Sequence, residues 1–286
     1  MKSALQNWIV IGACFAAAPA QAAAVSLTSS NRDTTIFKAG TTNSAGGQTQ
    51  MYVGTNGNSG SADRGLVSFD LSGIPSTAIV QSVQLNLTLS QVAGGGQGGA
   101  DPTPRELDLH LLSAGWGEGT VSTGGGQGSA ANSGDATWSD RSFSSTSPVA
   151  WTTAGGDFSA SISGAQLINN VVNTTFTWDS TATTLNGGST TLANSNPVNN
   201  SQMVSDVQGW VSHPATNFGW ILINTEEIAA KTFRAFFARE ASTMKPSLTI
   251  TYVPEPNSFA IMLVGSLGFG VLIWRRKGKG NGSRSF

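Results

Sequence analysis

Apolar and polar residues alternate along the middle of the chain with the two-residue period of a β-strand. Apolar side chains occupy every second position in 83–89, 107–111 and 248–252, with polar residues between them. Trp220–Ile223 is an unbroken apolar run, which is typical of a strand buried on both faces. These segments predict an all-β body built as a β-sandwich.

Apolar residues spaced for a helix occur in one short segment of the body, at Met203, Val204, Val207, Trp210 and Val211. Because i, i+3 and i+4 positions share one helical face, this spacing predicts one short amphipathic helix. We expect this helix to lie as a lid over one end of the sandwich.

Three stretches rich in Gly, Ser or Thr separate the predicted strands, at Gly94–Gly99, Gly119–Gly134 and Leu185–Ser201. They contain few apolar side chains, so they have little with which to offset the entropy of ordering a chain. We expect them to be long, mobile surface loops that contribute nothing to the core.

The N-terminus predicts a secretory signal peptide over residues 1–22. A lysine at position 2 precedes a short apolar run, and the run ends in Pro-Ala-Gln-Ala. A small residue at Ala20 and another at Ala22 is the pattern recognised at a signal cleavage site, so cleavage is expected after Ala22.

The C-terminus predicts a transmembrane helix over residues 258–274. Ser258–Trp274 contains no charged residue, and seventeen helical residues span roughly 25 Å, enough for a thin bilayer core. Arg275, Arg276 and Lys277 open a basic tail, 275–286, that resists translocation. The tail is therefore expected to stay cytoplasmic while residues 23–253 lie outside the inner membrane.

Pro254, Glu255 and Pro256, followed by the apolar helix and the Arg275-Arg276-Lys277 cluster, resemble a PEP-CTERM sorting signal. The resemblance covers residues 254–286. It implies export through the Sec translocon in a Gram-negative bacterium, followed by processing by exosortase, a membrane transpeptidase. The alternative is a plain single-pass anchor.

Composition and charge narrow the function further. Charged residues make up 11% of the chain, and 35 residues are Gly, a profile that disfavours a helical protein. Residues 23–253 hold nine Lys or Arg against fifteen Asp or Glu, a net charge of −6, which excludes phosphate-directed nucleic-acid binding. Cys14 is the single cysteine, so the cleaved chain would contain no disulfide or thiolate metal site.

A second resemblance covers most of residues 23–253. An ordered set of short motifs carries it: Asp33-Thr34-Thr35-Ile36, Met51-Tyr52-Val53-Gly54, Arg64–Pro75, Trp116-Gly117-Glu118, Ala136-Thr137-Trp138, Gly155-Gly156-Asp157-Phe158, Val207–Trp210, Asn217–Trp220, Phe237–Glu240 and Pro246-Ser247-Leu248. In this order they are similar to the DNRLRE domain, which is related to the family 96 carbohydrate-binding modules. The resemblance implies a jelly-roll β-sandwich, and an insertion at Leu185–Ser201 departs from the family pattern.

Trp116, Trp138 and Trp151 are the candidate ligand-binding residues. Indole rings stack well on the C–H faces of sugars, and these three flank flexible Gly/Ser segments. The alternative is that they are buried core aromatics. Trp210 and Trp220 belong to the helix and strand patterns, so we expect both in the core.

No arrangement of residues predicts catalysis, and we expect the protein not to be an enzyme. Glu106 and Asp108 share one face of a predicted strand roughly 6–7 Å apart, but that face is expected to be solvated. Neither His110 nor His213 is paired with a nucleophile motif. No cofactor is predicted apart from a structural calcium ion, for which the sequence names no ligands.

Together these features predict an exported, exosortase-sorted surface or extracellular-matrix protein that binds or is embedded in exopolysaccharide. Two alternatives stay open. One is a purely structural envelope protein in which the Trp residues are core. The other is a polysaccharide-degrading enzyme that uses Glu106 or Asp108.

Overall fold

A computed structural model describes residues 21–57, 60–94 and 101–254. Ala22–Val253 form one compact unit whose regular secondary structure is mostly β-strand. The strands are β1 Ala23–Leu27, β2 Arg32–Phe37, β3 Asn43–Ser44, β4 Gln50–Thr55, β5 Ala62–Ser68, β6 Ile79–Val92, β7 Arg105–Leu112, β8 Ser129–Ala130, β9 Asp140–Ser142, β10 Val149–Ala150, β11 Phe158–Ile168, β12 Thr175–Asp179, β13 Trp220–Asn224, β14 Arg234–Phe237 and β15 Ser247–Val253. Across these ranges there is one α-helix, α1 Gln202–Ser212, and two short 3₁₀ turns at Gly125–Gln127 and Pro214–Thr216. The prediction of a mostly β body with one short helix is confirmed.

Eleven strands form one curled antiparallel sheet. The hydrogen-bonded order is β1-β15-β6-β14-β4-β5-β13-β7-β11, with β12 also paired to β6 and β2 also paired to β5. β6 is fourteen residues long and pairs with β15 along Ile79–Asn86 and with β14 along Leu89–Val92. Register shifts interrupt both ladders, and such irregularities increase local twist. The long strand thereby carries the sheet around a curve.

The main core fills the inside of this curve. Alternate residues of β6 are fully buried there, as the sequence pattern predicts. α1 covers this core with Met203, Val207 and Trp210, and the Trp210 ring lies 4.6 Å from the Trp220 ring in an edge-to-face arrangement. The expected burial of Trp210 and Trp220 is confirmed.

β13 is buried on both faces, as its unbroken apolar run predicts. Trp220 and Leu222 point into the main core, whereas Ile221 points to the opposite face of the sheet. A second cluster covers that opposite face. We call it the Trp cluster, and its buried members are Ile36, Ala62, Leu66, Leu112, Trp116, Ala136, Trp138, Trp151 and Ile221.

The expectation that Leu185–Ser201 contributes nothing to the core is wrong. Leu185, Leu192 and Val198 are buried with Ala165 of β11 in a small satellite cluster. The segment closes on itself through its own turns, in which Leu185 N–H donates to Ser189 O at 2.7 Å and Leu192 N–H donates to Asn196 O at 2.8 Å. The apolar residues are too far apart in sequence to form a periodic pattern, so only these turns bring them together.

Several sequence predictions fall outside the described residues. These are residues 1–20 of the signal segment, including Ala20, residues 95–99 of the predicted glycine loop, Glu255, Pro256, the 258–274 segment and the basic residues Arg275, Arg276 and Lys277. Of the expected processing positions, Ala22 and Pro254 are described; along the chain, Ala22 precedes β1 and Pro254 follows β15. Among the helices of residues 21–57, 60–94 and 101–254, none has the length and apolar character needed to cross a bilayer.

Candidate functional site

The three candidate tryptophans are buried. Trp116, Trp138 and Trp151 are 4%, 7% and 4% exposed, and all three belong to the Trp cluster. An indole with both faces packed cannot stack on a sugar ring. We therefore correct the expectation that these residues form an exposed binding platform: the chain segments that carry them fold inward onto the sheet, because burying an indole removes a large apolar area from water.

The same tryptophans hold the surface layer above them in place. Trp116 Nε1 donates to Phe218 O and Trp151 Nε1 donates to Thr137 O, both at 2.8 Å. The guanidinium of Arg32 lies 4.7 Å from the ring centre of Trp116. The Trp116 bond fixes the backbone at Phe218 and the Trp151 bond fixes the backbone at Thr137, so these two tryptophans position the chain around the cleft.

An open cleft of about 860 Å³ lies beside the Trp cluster. Its lining residues are Ser113, Ala114, Gly115, Arg141, Val149, Ala150, Thr152, Thr153, Gly156, Asp157, Phe158 and Phe218. Phe158 and Phe218 are partly exposed in the cleft and pack against the Trp cluster from above. Two aromatic rings are therefore available at the surface where the sequence suggested tryptophans.

A tight glycine turn places Asp157 and Phe158 in the cleft. Gly155 and Gly156 have φ of +95° and +109°, in the region that favours glycine. A Cβ at position 155 would lie 2.8 Å from both Arg64 Nη1 and Trp138 Cζ2. The turn can therefore approach the sheet only because this residue has no side chain.

Arg64 supports Phe158 from below. It makes a two-pronged ion pair with Glu227 at 2.7 and 2.8 Å, and its Nη1 donates to Gly155 O at 2.8 Å. The guanidinium lies 4.8 Å from the ring centre of Trp138 and 5.4 Å from that of Phe158. Arg64 and the His110 ring, whose centre lies 5.3 Å from that of Phe158, thus hold the Phe158 ring in the cleft lining.

Arg141 and Asp157 are the charged residues of the cleft lining. Arg141 Nη1 donates to Gly115 O at 3.1 Å. Asp157 accepts the N–H of Thr152 and of Thr153, each at 2.9 Å. Burial acts to raise the pKa of Asp157, but these hydrogen bonds outweigh it and leave the pKa below its ordinary value, so the group is a carboxylate at neutral pH.

A separate carboxylate cluster could hold a metal ion. One oxygen from each of Asp33, Glu118 and Glu240 lies within 4.8 Å of the others. Arg239 already lies among them: its Nη2 is 2.8 Å from both Glu118 Oε2 and Glu240 Oε1, and its backbone N–H donates to Asp33 Oδ2 at 2.9 Å. Burial raises the pKa of Asp33 to about 7, opposed by the hydrogen bond from Ser30.

Glu106 and Asp108 are buried, which corrects the expectation of a solvated face. The segment Leu185–Ser201 folds over them, and both carboxylate oxygens of Glu106 accept the N–H of Ala193. Asp108 Oδ1 has no hydrogen-bond partner within the described part of the chain. Burial, with the nearby charge of Glu106 as a second cause, raises the pKa of Asp108 to about 7. Neither carboxyl lines the cleft.

Phe158, Phe218, Arg141 and Asp157 were not predicted as binding residues from the sequence. Three of them stand in motifs that carry the family resemblance, Gly155-Gly156-Asp157-Phe158 and Asn217–Trp220. The paired glycines were the available signal, because a Gly-Gly turn before an aromatic residue marks a place where the backbone must pack closely. Arg141 had no comparable signal.

Comparison with family models gave no match, and comparison with curated proteins gave no significant match.

Proposed function

We propose that the protein is an exported, non-catalytic surface or matrix protein that binds exopolysaccharide through the cleft beside the Trp cluster. The observation that carries the proposal is the pair of partly exposed rings, Phe158 and Phe218, in an open cleft that also presents Arg141 and Asp157. Sugar recognition needs apolar faces to stack on and polar groups to orient the hydroxyls, and this lining supplies both.

The proposed body is a DNRLRE-type jelly roll. The curled antiparallel sheet is compatible with it, and the ordered motifs of the sequence support it. The proposed route is Sec-dependent export with cleavage after Ala22, tethering to the inner membrane by 258–274, and sorting by exosortase at the PEP-CTERM segment. The body would first lie in the periplasm and later at the cell surface or outside the cell.

A second candidate function, that of a purely structural matrix protein, is supported by a separate observation. Burial of Trp116, Trp138 and Trp151 in one cluster favours it, since those residues serve packing. The two proposals differ in the cleft: a structural protein has no need of Phe158 and Phe218 at the surface.

Binding should depend on the two cleft phenylalanines. In affinity gel electrophoresis of the full chain in mild detergent, we expect F158A and F218A each to weaken polysaccharide binding about tenfold or more, because each removes a stacking surface. Phe237→Ala is the matched control, since Phe237 is also partly exposed but lies on β14 outside the cleft. Equal binding by all three variants and the parent would contradict binding through the cleft, whereas no binding by the parent would support the structural alternative.

We propose that Arg239, and not calcium, supplies the positive charge that holds Glu118 and Glu240 together in the Asp33–Glu118–Glu240 cluster. The guanidinium bridges Glu118 and Glu240 at distances that charge-assisted hydrogen bonds prefer. A calcium ion would need those same oxygens. No cofactor is therefore required in this proposal.

Calcium should leave the Tm of the parent protein unchanged and should raise the Tm of R239M. The Arg239→Met variant removes the guanidinium that bridges Glu118 and Glu240, so we expect it to lose about 1–2 kcal/mol of stability and to recover part of it with millimolar calcium. Thermal unfolding with calcium or chelator is the measurement. R141M, which removes the same charge elsewhere, should gain nothing from calcium, and a calcium-dependent rise in the parent Tm would contradict the assignment.

A further inference from the structure

The polar groups of the cleft are balanced in charge. Arg141 is its cation and Asp157 its anion. A guanidinium carries five N–H donors, and the structure uses one of them on Gly115 O. Each oxygen of Asp157 accepts one backbone N–H, and the carboxylate also accepts a side-chain hydrogen bond from Thr152. Because a carboxylate has about four acceptor sites, one is left for a ligand. The cleft therefore offers donors on one residue and an acceptor on the other.

This pairing matches the hydroxyl groups of a neutral sugar. Each hydroxyl both donates and accepts, so neighbouring hydroxyls can accept from Arg141 and donate to Asp157. A sugar carboxylate only accepts, and beside Asp157 it would meet a like charge. The hydroxyl-bearing residues Ser113, Thr152 and Thr153 of the lining extend the same chemistry.

The charge of the whole body points the same way. Residues 23–253 carry a net charge of −6, and Arg141 is the single positively charged residue of the cleft lining. Long polyanions gain their affinity from several cations arranged along their path. A single arginine next to an aspartate does not provide such a path.

We propose that the cleft binds a neutral polysaccharide whose pyranose faces stack on Phe158 and Phe218 while its hydroxyls bond to Arg141 and Asp157, and that it discriminates against uronic-acid polymers. The proposal rests on the polysaccharide-binding function above and names the ligand class of the same cleft. It makes Asp157 a specificity-determining residue, since its carboxylate accepts hydrogen bonds from sugar hydroxyls and repels sugar carboxylates.

The test is affinity gel electrophoresis of the full chain against neutral polymers (laminarin, glucomannan, dextran) and acidic ones (polygalacturonate, hyaluronate), at low and high sodium chloride. We expect retardation by at least one neutral polymer, unchanged by salt because no net charge is neutralised on binding. D157N should weaken that binding about tenfold, as expected for loss of a hydrogen bond to a charged group. Circular dichroism checks that each variant is folded.

The outcomes separate this proposal from the function on which it rests. Binding confined to acidic gels, weakened by salt and strengthened by D157N, would overturn the neutral class while leaving polysaccharide binding intact. Retardation by none of the five polymers would overturn both and favour the structural alternative. Neutral binding that D157N leaves unchanged would remove Asp157 from the specificity role and reject the proposed geometry.

Discussion

Replacing Asp108 with Asn should make the protein more stable at neutral and alkaline pH and leave it nearly unchanged in acid. Burial raises the pKa of Asp108 from its ordinary 3.8 to about 7 in the folded chain, with the charge of Glu106 adding to the effect. At neutral pH the folded protein must then either hold a proton on this group or bury a second charge beside Glu106.

Proton linkage determines the direction in which stability changes with pH. Because the folded state holds the proton of Asp108 more tightly than the unfolded state, its contribution to stability is full below about pH 4 and is lost as the pH rises to about 7. Across this window the free energy of unfolding falls by about 1.4 kcal/mol per pH unit, or roughly 4 kcal/mol in all. Asn is nearly isosteric and uncharged, so D108N should remove most of that loss.

Urea unfolding of parent and D108N at about pH 5 and about pH 8 measures this effect. The gain from D108N should be larger at the higher pH. Burial also raises the pKa of Asp33 to about 7 and that of Asp63 to about 8. These two groups lower stability with rising pH as Asp108 does, so D108N should still lose some stability as the pH rises. D70N is the control, because Asp70 is exposed and bonds to Ser72 N–H. A D108N protein less stable than the parent at both pH values would contradict the assignment.

Removing the guanidinium of Arg234 should lower the free energy of unfolding by about 3–5 kcal/mol. Its side chain is fully buried, so each of its partners would lose a donor that water cannot replace. Arg234 pairs with Asp101 at 3.0 Å and donates to the backbone oxygens of Thr103, Asn169 and Phe233. In R234M, three carbonyls and a carboxylate lose a charged donor together. The arginine thus joins chain segments that are distant in sequence.

Urea unfolding of R234M against R105M separates this network from a simple ion pair. Arg105 shares Asp101 with Arg234 and also pairs with Glu226, but its side chain is 12% exposed. Water can therefore take over part of its hydrogen bonding, and we expect a smaller loss for R105M. R234K should not restore stability, since an ammonium cannot reproduce the planar fork. Equal losses in R234M and R105M would mean that the backbone bonds of Arg234 contribute little.

The sequence by itself determined the local elements of this protein. Alternation along 83–89 requires one buried face, and the helical spacing from Met203 to Val211 requires another, so β6 and α1 follow from periodicity alone. The unbroken run Trp220–Ile223 likewise predicted a strand between two apolar layers. Each of these conclusions depends on neighbours in sequence, which the pattern records directly.

Only the tertiary structure decided which strand faces and loop residues are buried by segments that are distant in sequence. Alternation placed Glu106 and Asp108 opposite the core, but Leu185–Ser201 folds over them, a contact between segments far apart in the chain. Trp116, Trp138 and Trp151 could have been surface or core on local grounds, and the packing of one long connecting segment against the sheet buries all three. The cleft depends on that same packing, since Phe158 and Phe218 come to line one cleft only when both segments fold onto the Trp cluster. Periodicity tells which side of a strand is apolar; it cannot tell what else in the chain comes to lie on the other side.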